Sequence, residues 1–138
     1  MQVFDEIAAR ARSGPGYRLF TAMRYLPATD EVERVFSTDA VAYPPGGRKR
    51  KRDTAWSRRV LGAGEPYFAH DEAGIRAAFD DADKILALGF GAVINVPVRH
   101  DGRIVGTLNF LREAGGYSPA DVATALALAP LAAEALAT

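Results

Sequence analysis

Gly91-Ala-Val-Ile-Asn-Val-Pro-Val-Arg-His-Asp-Gly-Arg-Ile-Val-Gly-Thr-Leu-Asn-Phe-Leu111 is the stretch that decides the fold. Apolar residues alternate on both sides of His100-Asp101-Gly102, which predicts two antiparallel strands joined by a tight turn. Two registers compete. A two-residue Asp101-Gly102 turn sets Asn95 opposite Leu108 and Ile94 opposite Asn109, mixing polar and apolar residues on both faces. A three-residue loop with Gly102 left-handed pairs Asn95 with Thr107 and Val93 with Asn109. One face then carries Ile94, Val96, Val98, Ile104, Leu108 and Phe110, with Gly106 leaving room for close packing. The other carries Val93, Asn95, Pro97, Val105, Thr107, Asn109 and Leu111. A buried face fixes register, so the second pairing is expected. Its first face suits packing on helices. Its second, apolar with three polar interruptions, suits a pocket wall. The same Asn95, Thr107 and Asn109 could instead satisfy buried loop backbone.

Working outward, Val3–Arg12 reads as a helix with Phe4, Ile7, Ala8 and Ala11 on one stripe. Tyr17–Leu26 and Glu31–Thr38 alternate as strands around Ala28-Thr29-Asp30, a connection short enough for a hairpin. Asp39–Arg52 reads as a loop, through Pro44-Pro45-Gly46-Gly47 and the run Arg48-Lys49-Arg50-Lys51-Arg52. Asp53 or Thr54 can cap a helix through Leu61 that carries Trp56 and Val60. Tyr67–His70 is extended. Glu72–Leu88 is helical in two pieces, because Asp80 and Asp81 offer a fresh cap, and Gly89 and Gly91 close it. Ser118-Pro119-Ala120-Asp121 opens a last helix towards Ala137, bent at Pro130.

The 138 residues suit one domain, residues 1–138, with no repeat and no dividing linker. A formal net charge of zero gives no global field towards nucleic acid or an anionic membrane. There is no cysteine, which removes disulfides, thiolate nucleophiles and cysteine zinc sites. Met1-Gln2-Val3-Phe4-Asp5-Glu6 has neither the basic nor the apolar region of a signal peptide, and the apolar run near Ala123–Ala133, which contains Pro130, reads as shorter than a membrane span, so a cytoplasmic location is expected. His70 and His100 have no partner at a ligand spacing, and no glycine-rich phosphate loop or serine elbow is present.

The hairpin, with Asp101-Gly102-Arg-Ile-Val-Gly106-Thr-Leu-Asn-Phe110 as its second half, resembles that of GAF domains. So do Tyr117-Ser118-Pro119-Ala120-Asp121 and Gly64-Glu65-Pro66-Tyr67-Phe68-Ala69-His70-Asp71, and the pieces fall in the right order along essentially the whole chain. The resemblance implies an α+β fold. Its central antiparallel sheet of five or six strands has terminal helices on one face; crossover helices and loops enclose a pocket on the other. Among the family's activities, the free methionine sulfoxide reductases work through cysteines and hold substrate with acidic hairpin residues. Here the matching positions are Val93, Asn109 and Leu111, and cysteine is absent. Covalent bilin attachment is excluded on the same ground. Cyclic-nucleotide GAF domains carry an Asn-Lys pair and a Phe three residues before Asp-Glu. Asn109 is followed by Phe110, Tyr117 and Asp121 match loosely, and Val122 replaces the glutamate, so cyclic-nucleotide binding lacks its charge partner.

What the resemblance implies is a non-catalytic, small-molecule-binding sensor or regulatory module of the bacterial type, without a fixed cofactor. The expected pocket residues are Tyr43, Trp56, Phe79, Val93, Asn95, Thr107 and Asn109. The basic run reads first as a solvated loop. In the family's architecture it covers the pocket, where Arg48 to Arg52 with Arg58 or Arg59 would attract an anionic ligand. The last helix is apolar nearly all round, with Val122, Leu126, Ala129, Ala133 and Leu136 on one stripe and Leu128 and Leu131 off it. Such a helix is expected to be buried on more than one side, by its own domain and by a second copy in a homodimer. Signalling then needs a separate output partner. An interaction or dimerisation module with a filled pocket, and a cysteine-independent enzyme on the same fold, are the alternatives.

Overall fold

The computed structural model describes residues 2–137. Six antiparallel strands form one sheet: β1 Leu19–Leu26, β2 Glu31–Ser37, β3 Arg48–Arg50, β4 Tyr67–Ala69, β5 Ala92–His100 and β6 Arg103–Arg112. Their spatial order is β3-β2-β1-β6-β5-β4. One face is covered by α1 (Gln2–Ala11) and by the C-terminal helix, which runs as α5 (Pro119–Leu128), a 3₁₀ turn (Ala129–Ala132) and α6 (Ala133–Ala137). The other face looks towards α2 (Ala55–Ser57), α3 (Glu72–Ala78) and α4 (Ala82–Ala87).

The helix-side core is closed by shape. Phe4, Ile7, Ala8 and Ala11 of α1 meet Phe20, Ile94, Val96, Val98, Leu108 and Phe110 of the sheet, and Ala125, Ala129, Ala132 and Leu136 of the terminal helix. Phe20 and Phe110, opposite each other on β1 and β6, stack with centroids 5.0 Å apart. Gly106 permits the terminal helix to seat, because a Cβ there would lie 2.1 Å from the Met23 carbonyl oxygen and 3.0 Å from Leu136 Cδ1. Arg24 fastens its end. The guanidinium donates to the Ala135 and Leu136 carbonyls at 3.0 and 3.2 Å and pairs with Glu33, which Arg48 approaches at 3.6 Å. Cations at a helix C-terminus complement its dipole.

The central hairpin departs from the expected register. Asp101 and Gly102 both have positive φ, 52° and 76°, so the turn is the two-residue one. His100 pairs with Arg103 and Arg99 with Ile104; the register then shifts, so that Val98 meets Gly106 and Asn95 meets Asn109. Val105 is the extra residue of this β-bulge. The shift restores the segregation of faces beyond it, but it exchanges two residues. Val105 packs against the helix-side core, whereas Ile104 lies beside Arg99 next to Gly64 on the opposite side.

Of the other expectations, some are corrected and some hold. The basic run is not simply a loop: Arg48–Arg50 pairs with Glu31–Glu33 as an edge strand, where cations are common. The helix after it is capped by Thr54, whose side chain accepts from the Ser57 amide, while Asp53 binds Arg58 instead. It becomes a π-helix at Arg58–Gly62. Asp81 does stand at the N-cap of α4. The terminal helix breaks near Pro130 and keeps its capping box of Ser118 and Asp121. It is not buried on more than one side within this chain. Leu126 and Leu131 are each 38% exposed, and Ala125 takes the core position expected of Leu126. By length and mean hydropathy, 1.5 over Pro119–Ala137, this helix could cross a membrane. Its inner residues nevertheless pack on the sheet.

Candidate functional site

On the open face of the sheet, cross-strand pairing sets side chains in rows. Leu19, Leu111, Val93 and Ala69 form one row across β1, β6, β5 and β4. Thr21, Asn109, Asn95 and Tyr67 form the next. Opposed residues on neighbouring strands hold their Cβ atoms about 5 Å apart, within reach of one amide for another. Three members of the second row use that proximity. Asn95 Nδ2 donates to Asn109 Oδ1 at 2.9 Å, and Asn109 Nδ2 donates to Thr21 Oγ1 at 3.1 Å. At the other end the Trp56 indole Nε1 donates to Asn95 Oδ1 at 2.9 Å.

The chain of bonds has one direction. An indole can only donate, so the Asn95 oxygen must face Trp56, which turns its nitrogen to Asn109 and in turn the Asn109 nitrogen to Thr21. Each amide carbonyl of the ladder accepts one bond. At the Thr21 end the hydroxyl accepts, and its hydrogen remains for a further acceptor.

Above the ladder is a cavity of about 380 Å³. Leu19, Met23, Val32, Leu61, Ile85, Val93 and Leu111 give it apolar walls, and Trp56 and Phe79 add aromatic rings 6.1 Å apart. Lys49, Arg50, Lys51 and Arg52 reach it from β3 and its following residues, Arg34 from β2 and Arg76 from α3. Two carboxylates, Asp80 and Asp81, also line it. Arg52 forms an ion pair with Asp80, joining the end of the basic run to the α3–α4 junction. Lys51 pairs with Asp30 and Arg76 with Asp83. Tyr43 lines the cavity with the Arg34 guanidinium and the Lys84 ammonium over its ring, at 5.1 and 4.3 Å. Its hydroxyl is buried without a hydrogen-bond partner. Burial raises its pKa to about 12, with Asp81 adding to the rise and Arg34 opposing it.

Six of the nine residues expected from sequence line this cavity: Tyr43, Trp56, Phe79, Val93, Asn95 and Asn109. Three do not. Thr107 lies one row away, opposite Pro97 and Met23, fully buried with its hydroxyl unpartnered. Arg48 turns to Glu33, because pairing puts Lys49 and Val32 on the cavity side of the sheet. Arg58 pairs with Asp53 at the surface. Sequence reading missed Thr21, Arg34, Ser57 and Asp81. Thr21 and Arg34 lie on the cavity-facing sides of β1 and β2, and only the strand order brings those faces to the hairpin. Tyr117 and Asp121, the loose matches to the cyclic-nucleotide pattern, have structural partners: the Tyr117 hydroxyl donates to the Gly16 carbonyl at 2.6 Å and Asp121 accepts from the Ser118 amide. Among the described residues there is no cluster of three or more His, Asp or Glu able to hold a metal.

The sequence model of the GAF domain matches residues 2–137, and the chain belongs to that family. Solved structures agree on the fold. The GAF domain of a two-component sensor histidine kinase from Bacillus halodurans superposes with a TM-score of 0.78 at 12% identity, over 99% of this chain and 92% of that one. The second GAF domain of DevS from Mycobacterium smegmatis gives 0.69 at 19% identity, over 99% and 91%. A type II free methionine-R-sulfoxide reductase from Thermoplasma acidophilum gives 0.69 at 14% identity, over 98% and 89%. No curated protein matches the sequence.

Proposed function

We propose that this GAF domain is a non-catalytic sensory or regulatory module of the cytoplasm that holds a small molecule between its sheet and the β3–α3 cover. The observation that carries the reading is the Trp56–Asn95–Asn109–Thr21 ladder beside an open cavity. Preformed hydrogen-bonding groups between apolar walls are the usual make-up of a ligand site. A binding role is also consistent with a chain that has no cysteine for sulfoxide chemistry. The occurrence of related folds in sensor kinases supports a regulatory setting.

Output, in this reading, leaves through the terminal helix. Ala123, Leu126, Ala127 and Leu131 are exposed along it, and an unpartnered apolar stripe of this kind suits pairing with a second copy or an output protein. Native mass spectrometry of freshly purified protein tests the ligand: a retained non-covalent mass is expected. A chain that carries no added mass and answers to no small molecule in a fluorescence screen would sink the reading. Light scattering tests the pairing, with a dimer at micromolar concentration as the expected result.

A further inference from the structure

The cavity sets aromatic rings and cations against the same sheet face, with Arg76 and the Arg52–Asp80 pair beside Phe79 and the apolar Leu19, Met23 and Val32 beside the β1–β2 cations. At the β5 end stand Trp56, Phe79 and Val93, and the Trp56 indole hydrogen is already committed to Asn95. At the β1–β2–β3 end stand Thr21, Arg34, Tyr43 and Lys49. Arg34 is placed opposite Met23, one cavity-facing position along β1 from Thr21, and lies over the Tyr43 ring. Lys49 is opposite Val32 on the same side, and neither Lys49 nor Arg50 has a carboxylate within ion-pair distance among the described residues.

Donors predominate at that end, where Asp81 beside Tyr43 is the one unpaired lining carboxylate among the described residues. The direction imposed by the indole leaves Thr21 accepting from Asn109, so its hydroxyl hydrogen is available. The Tyr43 hydroxyl has no partner at all, although residue burial reaches 94% of its surface by its 6% exposure. A buried unpaired hydroxyl is destabilising, so its retention invites an acceptor. Six cations against two carboxylates line a cavity in a chain whose formal net charge is zero. Asp80 is held by Arg52, which leaves Asp81 as the only lining carboxylate without a cation in an ion pair among the described residues.

We infer that the occupant is a small organic acid. Its carboxylate sits towards Thr21, Tyr43, Arg34 and Lys49, and its apolar body lies towards Trp56 and Phe79. An inorganic anion would leave the apolar walls of the cavity uncovered. A neutral amide of the same shape would bring its own donors to a cluster of donors. This inference rests on the reading of the cavity as a ligand site, and its test is built to fail separately.

Trp56 is the only tryptophan of the chain, so its fluorescence reports the cavity directly. Benzoate, 3-phenylpropionate and 4-methylvalerate are titrated into the full chain, each beside its primary amide, with inorganic phosphate as a further arm. At least one carboxylate is expected to change Trp56 emission saturably, binding at least about tenfold more tightly than its amide and than phosphate. Thr21→Val and Tyr43→Phe are each expected to weaken that carboxylate by about tenfold, the scale of one hydrogen bond to a charged group, and to leave the amide little changed. Two variants guard against one that folds poorly. Equal binding of acid and amide overturns the anion and leaves the ligand-site reading standing. Phosphate binding as tightly as the acids overturns the apolar body. No response to any of the acids overturns the inference, and a mass retained in native spectrometry still keeps the site.

Discussion

The two faces of this sheet are built from alternate residues of the same strands, yet they solve different problems. The helix side places Phe20, Ile94, Val96, Val98, Leu108 and Phe110 against α1 and the terminal helix. The four buried polar side chains among the described residues, Thr21, Ser57, Asn95 and Thr107, all belong to the cavity side. One face derives its order from close packing, where each methylene has many neighbours. The other derives its order from hydrogen-bond direction, with Trp56 setting the orientation of two amides in turn. A face of the first kind tolerates little change in volume. The second kind also rests on an apolar cluster around Ile75, Ile85, Phe90 and Leu111, and its ladder keeps its direction only while each amide finds its partner.

The largest expected effect lies on the packed face. Phe110→Ala removes the ring that stacks on Phe20 and should cost about 3–5 kcal/mol, read as a lower midpoint in urea denaturation. A loss under about 1 kcal/mol would mean that the helix side is not the seat of stability, and the contrast between the faces would collapse. The ladder comes next. Asn95→Leu strands the Trp56 indole hydrogen and the Asn109 carbonyl, for a cost of about 1–3 kcal/mol. A double-mutant cycle of Trp56→Phe with Asn95→Leu should return a coupling of roughly 1 kcal/mol. Additive effects would show that the indole does not order the amides.

The packed face was the legible one. Phe4, Ile7, Ala8 and Ala11 recur at helical spacing, and all four are buried. Ser118, Pro119 and Asp121 announce a helix start, and the capping box forms. In the hairpin, two true signals conflicted. Asp101-Gly102 asks for a two-residue turn, whereas segregated faces ask for a register that this turn does not provide. The bulge at Val105 satisfies both, and no local sequence feature marks it. Parity was therefore right and pairing wrong. That is why Asn95 and Asn109 were expected in the site but not as bonded neighbours. β3 was hidden for another reason. Three cations after Pro44-Pro45-Gly46-Gly47 have no apolar period, and their strand exists because β2 offers an open edge. Without that pairing, nothing distinguishes Lys49, which faces the cavity, from Arg48, which faces Glu33.

A pair of tyrosines carries the comparison to smaller effects. Tyr117 lies in the helix-side core and donates to the Gly16 carbonyl at 2.6 Å, so Tyr117→Phe should cost about 1 kcal/mol at neutral pH. Thermal unfolding measures it, with a fall in Tm expected.

Tyr43→Phe should leave stability unchanged or raise it by up to about 1 kcal/mol at neutral pH, because it removes a hydroxyl buried without a partner and keeps the ring between Arg34 and Lys84. Alkaline pH then separates variant from parent. Burial lifts the Tyr43 pKa from 10.0 to about 12, so the folded state holds the phenolic proton more tightly than the unfolded chain does. The associated stability is fully present below pH 10 and is lost as pH rises from 10 towards 12. The variant has no such proton to lose. Its stability relative to the parent should therefore increase across that interval, measured by denaturant midpoints at pH 7, 10 and 11. A variant that is already destabilised at pH 7 would mean that the hydroxyl has an internal partner. Tyr43 would then be tied as Tyr117 is tied to Gly16, with no free donor to offer a ligand.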